Sequence, residues 1–411
     1  MAFQKRIKEG LIFLATVAIL HGCTDDGSFN TPSNNYLVDF GQANLLLLPA
    51  VQALMVPLEA EYPEAAFIRA NASYGVQVYR ITYKTHYKGG EITASGLVCV
   101  PLADMEFPVI SFQNGTNTQH ANAPTEDPID FNYMLLEAMA SNGYIILIPD
   151  YIGFGSSDNL IHPYYQKKST TDAVIDMLQA SLELLDYTAV LAKSNGNLFL
   201  MGYSQGAWAT LCTMYELEQD NQTGLTLSAV SCGAGAYDLM AMSDYVLSLT
   251  SFPAPLYLPY FIYSEQVFGA LNDPLDKYFK QPYAGIIPTL FDGTYSNGEV
   301  NAQLNDTIGK LLTENMIINF DEGSEFENLR SLLSDNSISG WNTTIPLRFF
   351  HGTMDSNIPS MQSTDIHNSF IQAGAGAAVV TFTTLEGSTH ETGIIPWGIA
   401  TVNWLNETGE K

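Results

Sequence analysis

Basic residues, and charged residues in general, are scarce in this sequence of 411 residues. Only 16 residues are Lys or Arg, against 43 that are Asp or Glu, and the formal net charge at pH 7 is −27. A field of that sign repels phosphate backbones, so we expect no binding to nucleic acids. The acidity is typical of a well-hydrated surface and by itself says nothing about catalysis.

Cysteine is also rare, with four residues in the chain. Cys99, Cys212 and Cys232 lie in apolar segments, so the sequence predicts buried thiols in preference to a disulfide framework. Neither a CxxC nor an HExxH pattern occurs. We therefore expect no metal site.

The first 22 residues have the layout of an export signal. Basic side chains at positions 5–8 precede an apolar stretch over 11–20. The next residues, Leu20-His21-Gly22-Cys23, resemble the lipobox of bacterial lipoproteins, in which the cysteine becomes the lipidated first residue. We predict a signal peptide over 1–22, lipidation at Cys23 and a flexible tether over 23–36. The lipid would be the sole membrane attachment of an exported protein that faces the periplasm or the cell exterior. The alternative is an ordinary signal peptide with an incidental cysteine.

Apolar runs with strand-like patterns recur through the rest of the chain. Alternating or continuous runs predict strands at 76–87, 92–101, 108–112, 144–148, 198–201, 227–232, 345–350 and 378–385. Apolar residues at helical spacing predict helices at 174–185 and 205–218, and two more after Pro359 and His390. Strands that alternate with helices predict a mostly parallel sheet flanked by helices.

Residues 236–342 interrupt this alternation. They contain an aromatic and Pro-rich run over 251–263, followed by acidic segments with helical spacing. We interpret them as a largely helical cap inserted into a core domain over 37–235 and 343–411.

The run Gly202-Tyr203-Ser204-Gln205-Gly206 lies between a predicted strand and a predicted helix. Small residues at Gly202 and Gly206 allow a sharp turn, in which the central serine has a strained backbone and stands at the carboxyl edge of the sheet. Ser204 is therefore our candidate nucleophile. A bare GxSxG pattern is common, and its position between strand and helix is what makes it informative.

A serine nucleophile needs a base, because an unassisted hydroxyl is hardly ionised near neutral pH. His390 follows the last predicted strand, and Asp355 follows the strand before it. We prefer Asp355 to Asp365, which lies one helix later, and we expect His351 to pack structurally. The order Ser, Asp, His, with each residue at the carboxyl end of a strand, is a known arrangement of a catalytic triad.

With these motifs in this order, the chain resembles the α/β-hydrolases over residues 76–405. The resemblance implies an α/β-hydrolase fold and an oxyanion hole made of backbone N–H groups. One donor would be Gln205, directly after the nucleophile. The other would be Thr116, in a loop that has Asn114-Gly115 where the family often has His-Gly.

A second loop, 149–158 with His162-Pro163-Tyr164 beyond it, resembles the corresponding loop of secretory lipases and related esterases. There it helps to frame the pocket, so we expect a structural role. Gly153 and Gly155 begin a dinucleotide-like pattern, but Asp158 stands where a third glycine is needed. We therefore expect no nicotinamide and no other cofactor.

Together these features predict a serine hydrolase that cleaves carboxylic esters of small molecules or lipids through an acyl-serine intermediate. Apolar cap residues would either cover an acyl chain or only pack the cap on the core: Phe252, Leu256, Tyr257, Leu258, Tyr260 and Phe261. Two alternatives stay open. One is a serine peptidase of the prolyl-oligopeptidase type, which has the same triad order, and the other is a non-catalytic lipoprotein that binds a ligand.

Overall fold

The computed structural model describes residues 34–407. The predicted export signal, Cys23 and most of the tether lie outside these residues. Within the described part, Cys99, Cys212 and Cys232 are buried thiols. In the same part of the chain, no helix is long and apolar enough to cross a bilayer, and no three His, Cys, Asp or Glu side chains are grouped to hold a metal ion.

One sheet runs through the described residues. Its strands are β1 (Leu37–Leu46), β2 (Val76–Tyr87), β3 (Gly90–Pro101), β4 (Glu106–Gln113), β5 (Ile145–Pro149), β6 (Lys193–Tyr203), β7 (Thr226–Gly233), β8 (Leu347–Gly352) and β9 (Val380–Leu385). Their order in the sheet is β1-β2-β3-β5-β4-β6-β7-β8-β9. Pairing is antiparallel from β1 to β5 and parallel from β5 to β9. This confirms the predicted mostly parallel sheet.

Helices cover both faces of the sheet. They are α1 (Leu48–Glu61), α2 (Ala66–Asn71), α3 (Phe131–Met139), α4 (Lys167–Leu185), α5 (Gln205–Gln219), α6 (Leu239–Ser248), α7 (Tyr257–Phe268), α8 (Tyr283–Leu290), α9 (Asn297–Gln303), α10 (Ile308–Leu311), α11 (Glu314–Asn319), α12 (Glu327–Asn336), α13 (Met361–Gln372) and α14 (Ile394–Glu407). Helices α6–α12 all lie between β7 and β8, which confirms a largely helical insertion in the sheet.

The central strands are buried on both faces, as their continuous apolar runs predict. In β5, Ile145 and Leu147 join one core, together with residues of α4, α5, α13 and the inserted helices. Ile146 and Ile148 point the other way, into a second core with residues of α1, α2, α3 and α14. Because side chains alternate along a strand, one apolar run supplies both cores.

The segment before the hairpin was not predicted. Strand β1 lies at an edge of the sheet, and its pairing with β2 shifts register between Leu37 and Asp39 and again between Gln42 and Asn44. These irregularities remove the alternation on which a strand prediction depends. The last residues of the predicted tether are also held in place, because the Glu183 carboxylate of α4 accepts hydrogen bonds from the backbone N–H groups of residues 35–37.

Candidate active site

Ser204 lies in a sharp turn between β6 and α5. Its backbone has φ 59° and ψ −123°, a conformation that is costly for a residue with a side chain. A Cβ at Gly206 would overlap the carbonyl oxygen of Gln113, and one at Gly202 would overlap the carbonyl oxygen of Gly206. The two glycines thus let the turn close against β4, as their pattern predicts.

His390 lies beside this serine. Its Nε2 is 2.9 Å from Ser204 Oγ, and its Nδ1 is 2.6 Å from Asp355 Oδ2. Asp355 follows β8, and His390 follows β9. Since the parallel strands β6, β7, β8 and β9 are neighbours, residues from three distant parts of the chain meet at one carboxyl edge.

The contacts of His390 assign its protons. Nδ1 faces a carboxylate, which is an acceptor, so Nδ1 carries the proton. In the neutral imidazole, Nε2 is then free to accept a hydrogen bond from the Ser204 hydroxyl. This arrangement can take the hydroxyl proton when the serine oxygen attacks a substrate.

The Asp355 side chain is fully buried and is held as a carboxylate. Its Oδ1 accepts from the backbone N–H groups of Asn357 and Ile358, at 2.9 and 2.8 Å. Burial alone raises the pKa of this carboxyl, but hydrogen bonds from His351 and His390, together with the charge of His390, hold the pKa well below its usual range. The group therefore stays ionised at neutral pH.

His351 packs inside the core, as expected, and also contacts the candidate triad. Its Nε2 lies 2.9 Å from Ile358 O and 3.4 Å from Asp355 Oδ2, and its Nδ1 lies 2.7 Å from Ser363 Oγ. It links the Asp355 loop to α13. Sequence reasoning missed this contact, although His351 and Asp355 are only four positions apart.

The two residues predicted to form the oxyanion hole, Gln205 and Thr116, lie near Ser204. Gln205 is the first residue of α5, so its N–H has no acceptor within the helix and points out of the helix N-terminus. Gly115 lies so close that a Cβ there would be 3.8 Å from Ser204 Cβ. The next residue, Thr116, is fixed through its carbonyl oxygen, which accepts from Asn297 Nδ2 at 2.7 Å, and through its hydroxyl, 2.9 Å from Tyr164 OH.

An apolar cavity opens beside Ser204. Its lining is mainly aliphatic and aromatic. Helices of the insertion contribute much of its lining: Leu239, Met242, Val246, Leu258, Phe261 and Leu333. This lining suits an apolar ligand, and Ser204 is one of the lining residues.

The apolar residues singled out in the insertion fall into two groups. Tyr257, Leu258 and Phe261 line the cavity. The others are buried away from it: Phe252, Leu256 and Tyr260. Tyr260, for example, stacks on Tyr164, with ring centroids 4.3 Å apart. Part of this run therefore lines the cavity, and part packs the insertion against the rest of the protein.

The loop from 149 to 165 packs between the sheet and the insertion. Asp150 is buried, and its Oδ1 accepts from Thr125 N at 3.0 Å, while Ser95 and Thr125 hydroxyls donate to its Oδ2. His162 is also buried, and its Nε2 lies 2.8 Å from Gln205 Nε2. The structural role expected for this loop thus includes a direct contact with a residue next to the nucleophile, which sequence reasoning missed.

Comparisons with known proteins agree on the scaffold. A family model described as secretory lipase matches residues 120–246. Among solved structures, a candidate hydrolase from Legionella pneumophila has a TM-score of 0.81 and 24% identity, over 92% of this chain and 100% of that one. The rice cell wall degrading esterase LipA from Xanthomonas oryzae, in a ligand-bound form, has a TM-score of 0.78 and 21% identity, over 92% and 98% of the two chains.

A more distant structure has the same architecture. Candida antarctica lipase A has a TM-score of 0.62 and 11% identity, over 88% of this chain and 78% of that one. A search of curated protein sequences found no significant match. The sheet order, the flanking helices and these neighbours establish that the chain has the α/β-hydrolase fold of lipases and esterases.

Proposed function

We propose that the protein is a serine hydrolase of carboxylic esters, with Ser204 as nucleophile, His390 as base and Asp355 as the group that orients the base. The contacts that carry this proposal are those of His390, at 2.9 Å to Ser204 Oγ and 2.6 Å to Asp355 Oδ2. The match to the secretory lipase model supports the same reaction class.

The reaction would proceed in two halves. Ser204 Oγ attacks the ester carbonyl carbon as its proton passes to His390 Nε2, and the negative charge that develops on the carbonyl oxygen is stabilised by the N–H groups of Gln205 and Thr116. The C–O bond to the alcohol breaks, and the alcohol leaves with the proton from His390. Water then attacks the acyl-serine and gives a proton to His390. The bond between the acyl carbon and Ser204 Oγ breaks, Oγ takes that proton back from His390, and the acid is released.

The apolar cavity supports an ester with an apolar acyl group. Most of its lining is aliphatic or aromatic, and the Ser243 hydroxyl within it already donates to Leu239 O at 2.9 Å. A charged or strongly polar acyl part would lose its hydration there without compensating hydrogen bonds. We therefore expect alkanoyl esters to be better substrates than aminoacyl or prolyl amides.

The direct experiment compares p-nitrophenyl esters of two to twelve carbons with aminoacyl and prolyl p-nitroanilides. The wild-type protein is expected to hydrolyse the esters, and Ser204→Ala is expected to lower kcat on the order of 10⁴-fold or more. Ser231→Ala, at a buried serine on β7, serves as a control for folding. Faster turnover of the anilides would favour the peptidase alternative, and unchanged ester turnover in Ser204→Ala would overturn the assignment.

The proposal for location rests on the N-terminal segment. We propose that residues 1–22 are an export signal and that Cys23 carries a lipid, which holds the enzyme at a bacterial membrane. We also propose that residues 236–342 form a cap over the catalytic core. The match to a secretory lipase model supports export. Expression of the full chain in a bacterium, followed by membrane fractionation of wild type and Cys23→Ser, tests it. Release of the variant alone from the membrane is the expected result.

A further inference from the structure

The Gln205 side chain is held by a buried histidine outside the candidate triad. Gln205 Nε2 lies 2.8 Å from His162 Nε2, and both residues are buried. Gln205 Oε1 has no hydrogen-bond partner among the described residues. Among the described residues, the His162 imidazole is therefore the only hydrogen-bond partner of the Gln205 side-chain amide.

The other contact of His162 fixes the direction of this hydrogen bond. Its Nδ1 lies 2.7 Å from Ile152 O, and a carbonyl oxygen only accepts, so Nδ1 carries a proton. Burial lowers the pKa of His162 to about 4, although the hydrogen bond to Ile152 opposes the shift, and the ring is neutral at pH 7. Nε2 is then an acceptor, and the Gln205 amide donates to it.

The imidazole itself has little freedom. It stacks on Tyr151, with centroids 5.7 Å apart and planes 20° apart, and it contacts the ring of Tyr260 from helix α7. On the backbone side, Gly153 lies so close to His162 that a Cβ there would meet His162 Cα and N. His162 O also accepts from Ser264 Oγ of α7 at 3.0 Å. The ring is therefore a rigid support for whatever binds to it.

Gln205 needs such a support. As the first residue of α5, it lacks the intrahelical hydrogen bond that fixes the N–H direction of later helix residues. Its peptide plane also adjoins the strained backbone of Ser204. A small rotation there would turn the N–H away from the position of the oxyanion, and small errors of this kind are costly in catalysis.

We propose that His162 is a positioning residue for ester hydrolysis, which holds Gln205 so that its backbone N–H points into the oxyanion hole. The inference rests on the proposed function, because it assumes that Ser204 is the nucleophile. According to this proposal, stabilisation of the transition state depends on the His162 side chain, which lies 42 residues before Ser204 in the sequence. His162 belongs to the loop 149–165, which packs against helix α7.

Paired substitutions test it. In His162→Asn the amide nitrogen can still donate to Ile152 O, but the acceptor for Gln205 is lost. In His162→Gln the side-chain oxygen can reach the place of Nε2. Gln205→Met removes the link from the other side and keeps the backbone N–H. Ser157→Ala is the matched control, since its hydroxyl accepts from Gly153 N and donates to Phe154 O in the same buried loop and is hydrogen-bonded to neither His162 nor Gln205.

The measurements are kcat and KM for p-nitrophenyl butyrate, inhibition by an alkylboronic acid that forms a tetrahedral adduct, and the thermal midpoint Tm. We expect His162→Asn and Gln205→Met each to lower kcat about 10-fold and weaken the boronate similarly, with KM changed less than about 2-fold. The double variant should lose no more than either single one. His162→Gln should recover most of kcat, and Ser157→Ala should keep it.

Three results would overturn the proposal: wild-type kcat in Gln205→Met, losses that multiply in the double variant, or an equal kcat loss in Ser157→Ala. Gln205→Met leaves the His162 loop unchanged, so it decides the matter if His162→Asn does not fold. Failure of the underlying function has a different signature, because the wild-type protein itself would then hydrolyse no ester. In that case both proposals fall together.

Discussion

The Asp355 carboxylate accepts hydrogen bonds from two backbone N–H groups and lies 2.6 Å from Nδ1 of the His390 imidazole. The His351 imidazole is also near it, at 3.4 Å. The proposed mechanism requires this group to accept from His390 Nδ1. An amide in its place can turn its NH₂ toward Nδ1, which would shift the proton to Nε2 and leave no acceptor for the Ser204 hydroxyl.

Asp355→Asn is therefore expected to lower kcat on the order of 10⁴-fold at pH 7.5, with a far smaller change in KM. The matched control is Asp365→Asn, at the rival position from sequence analysis, which is exposed on α13. Steady-state kinetics on p-nitrophenyl butyrate measure both. Full activity of Asp355→Asn, or an equal loss in Asp365→Asn, would be incompatible with the assigned roles.

The proposed catalytic residues could be predicted from the sequence because each of them comes soon after a strand. Parallel strands end at one edge, so the sequence alone predicts that Ser204, Asp355 and His390 approach one another. The supports of the site could not be predicted in this way. His162 reaches Gln205 across 43 residues, and Asn297 reaches Thr116 across 181, and no local pattern records such contacts.

Among the elements, helix α9 contributes directly to the loop that holds Thr116. Its first residue, Asn297, donates to Thr116 O at 2.7 Å and accepts from Thr118 Oγ1 at 2.9 Å. Asn297→Ala removes both bonds, so we expect kcat to fall about 3- to 10-fold through a looser oxyanion loop. Gln303→Ala, at the other end of the same helix, is the control. Equal kinetics of both variants would show that α9 does not position the loop.

Helix α12 closes another side of the cavity through Leu333. Leu333→Ala enlarges the cavity, and we expect kcat/KM to shift about 10-fold in favour of longer acyl chains. The variant should also lose about 2–5 kcal/mol of stability. Leu329→Ala truncates a buried leucine of the same helix outside the lining, so it should lose stability without changing the preference. A p-nitrophenyl ester series and thermal unfolding distinguish the two effects.

The elements themselves were predictable where one physical signal dominated. Continuous apolar runs marked the doubly covered strands, and a 3.6-residue spacing marked α4. The sequence did not predict strand β1, because it is an irregular edge strand. It did not predict helix α1 either, because Pro57 within that helix weakens the helical pattern. The packing of the inserted helices depends on tertiary contacts, so their sequence predicted helix but not which side chains face the cavity.

Across the whole molecule, several buried or partly buried carboxyls have raised pKa values. Burial raises the pKa of Glu137 and of Glu265 to about 7, and that of Asp176 to about 6. Glu137 on α3 is fully buried, and its Oε2 accepts from Asn44 Nδ2 of β1 at 2.9 Å, which lowers the pKa only in part. In the folded protein each of these groups therefore keeps its proton to a higher pH than in the unfolded chain.

The consequence is a loss of stability with rising pH. Because folded Glu137 binds its proton more tightly than the unfolded chain does, its contribution is complete below about pH 4.5 and is lost as pH rises through about 7. Glu137→Gln keeps an acceptor for Asn44 and does not titrate. We expect it to lessen the fall in unfolding free energy between pH 5 and 8 by up to about 3 kcal/mol, whereas the exposed Glu64→Gln leaves that fall unchanged. Urea unfolding across this range measures it, and identical pH slopes for Glu137→Gln and wild type would contradict the prediction.

The central claim, that Ser204 becomes acylated, is tested most directly by trapping the intermediate. Rapid acid quenching of the protein during turnover of p-nitrophenyl butyrate, followed by proteolysis and mass spectrometry, locates any acyl group. The account predicts a butyryl adduct on the peptide that contains Ser204, and its loss in Ser204→Ala. An adduct on another residue, or continued turnover with no adduct and no reaction of Ser204 with a fluorophosphonate, would contradict it.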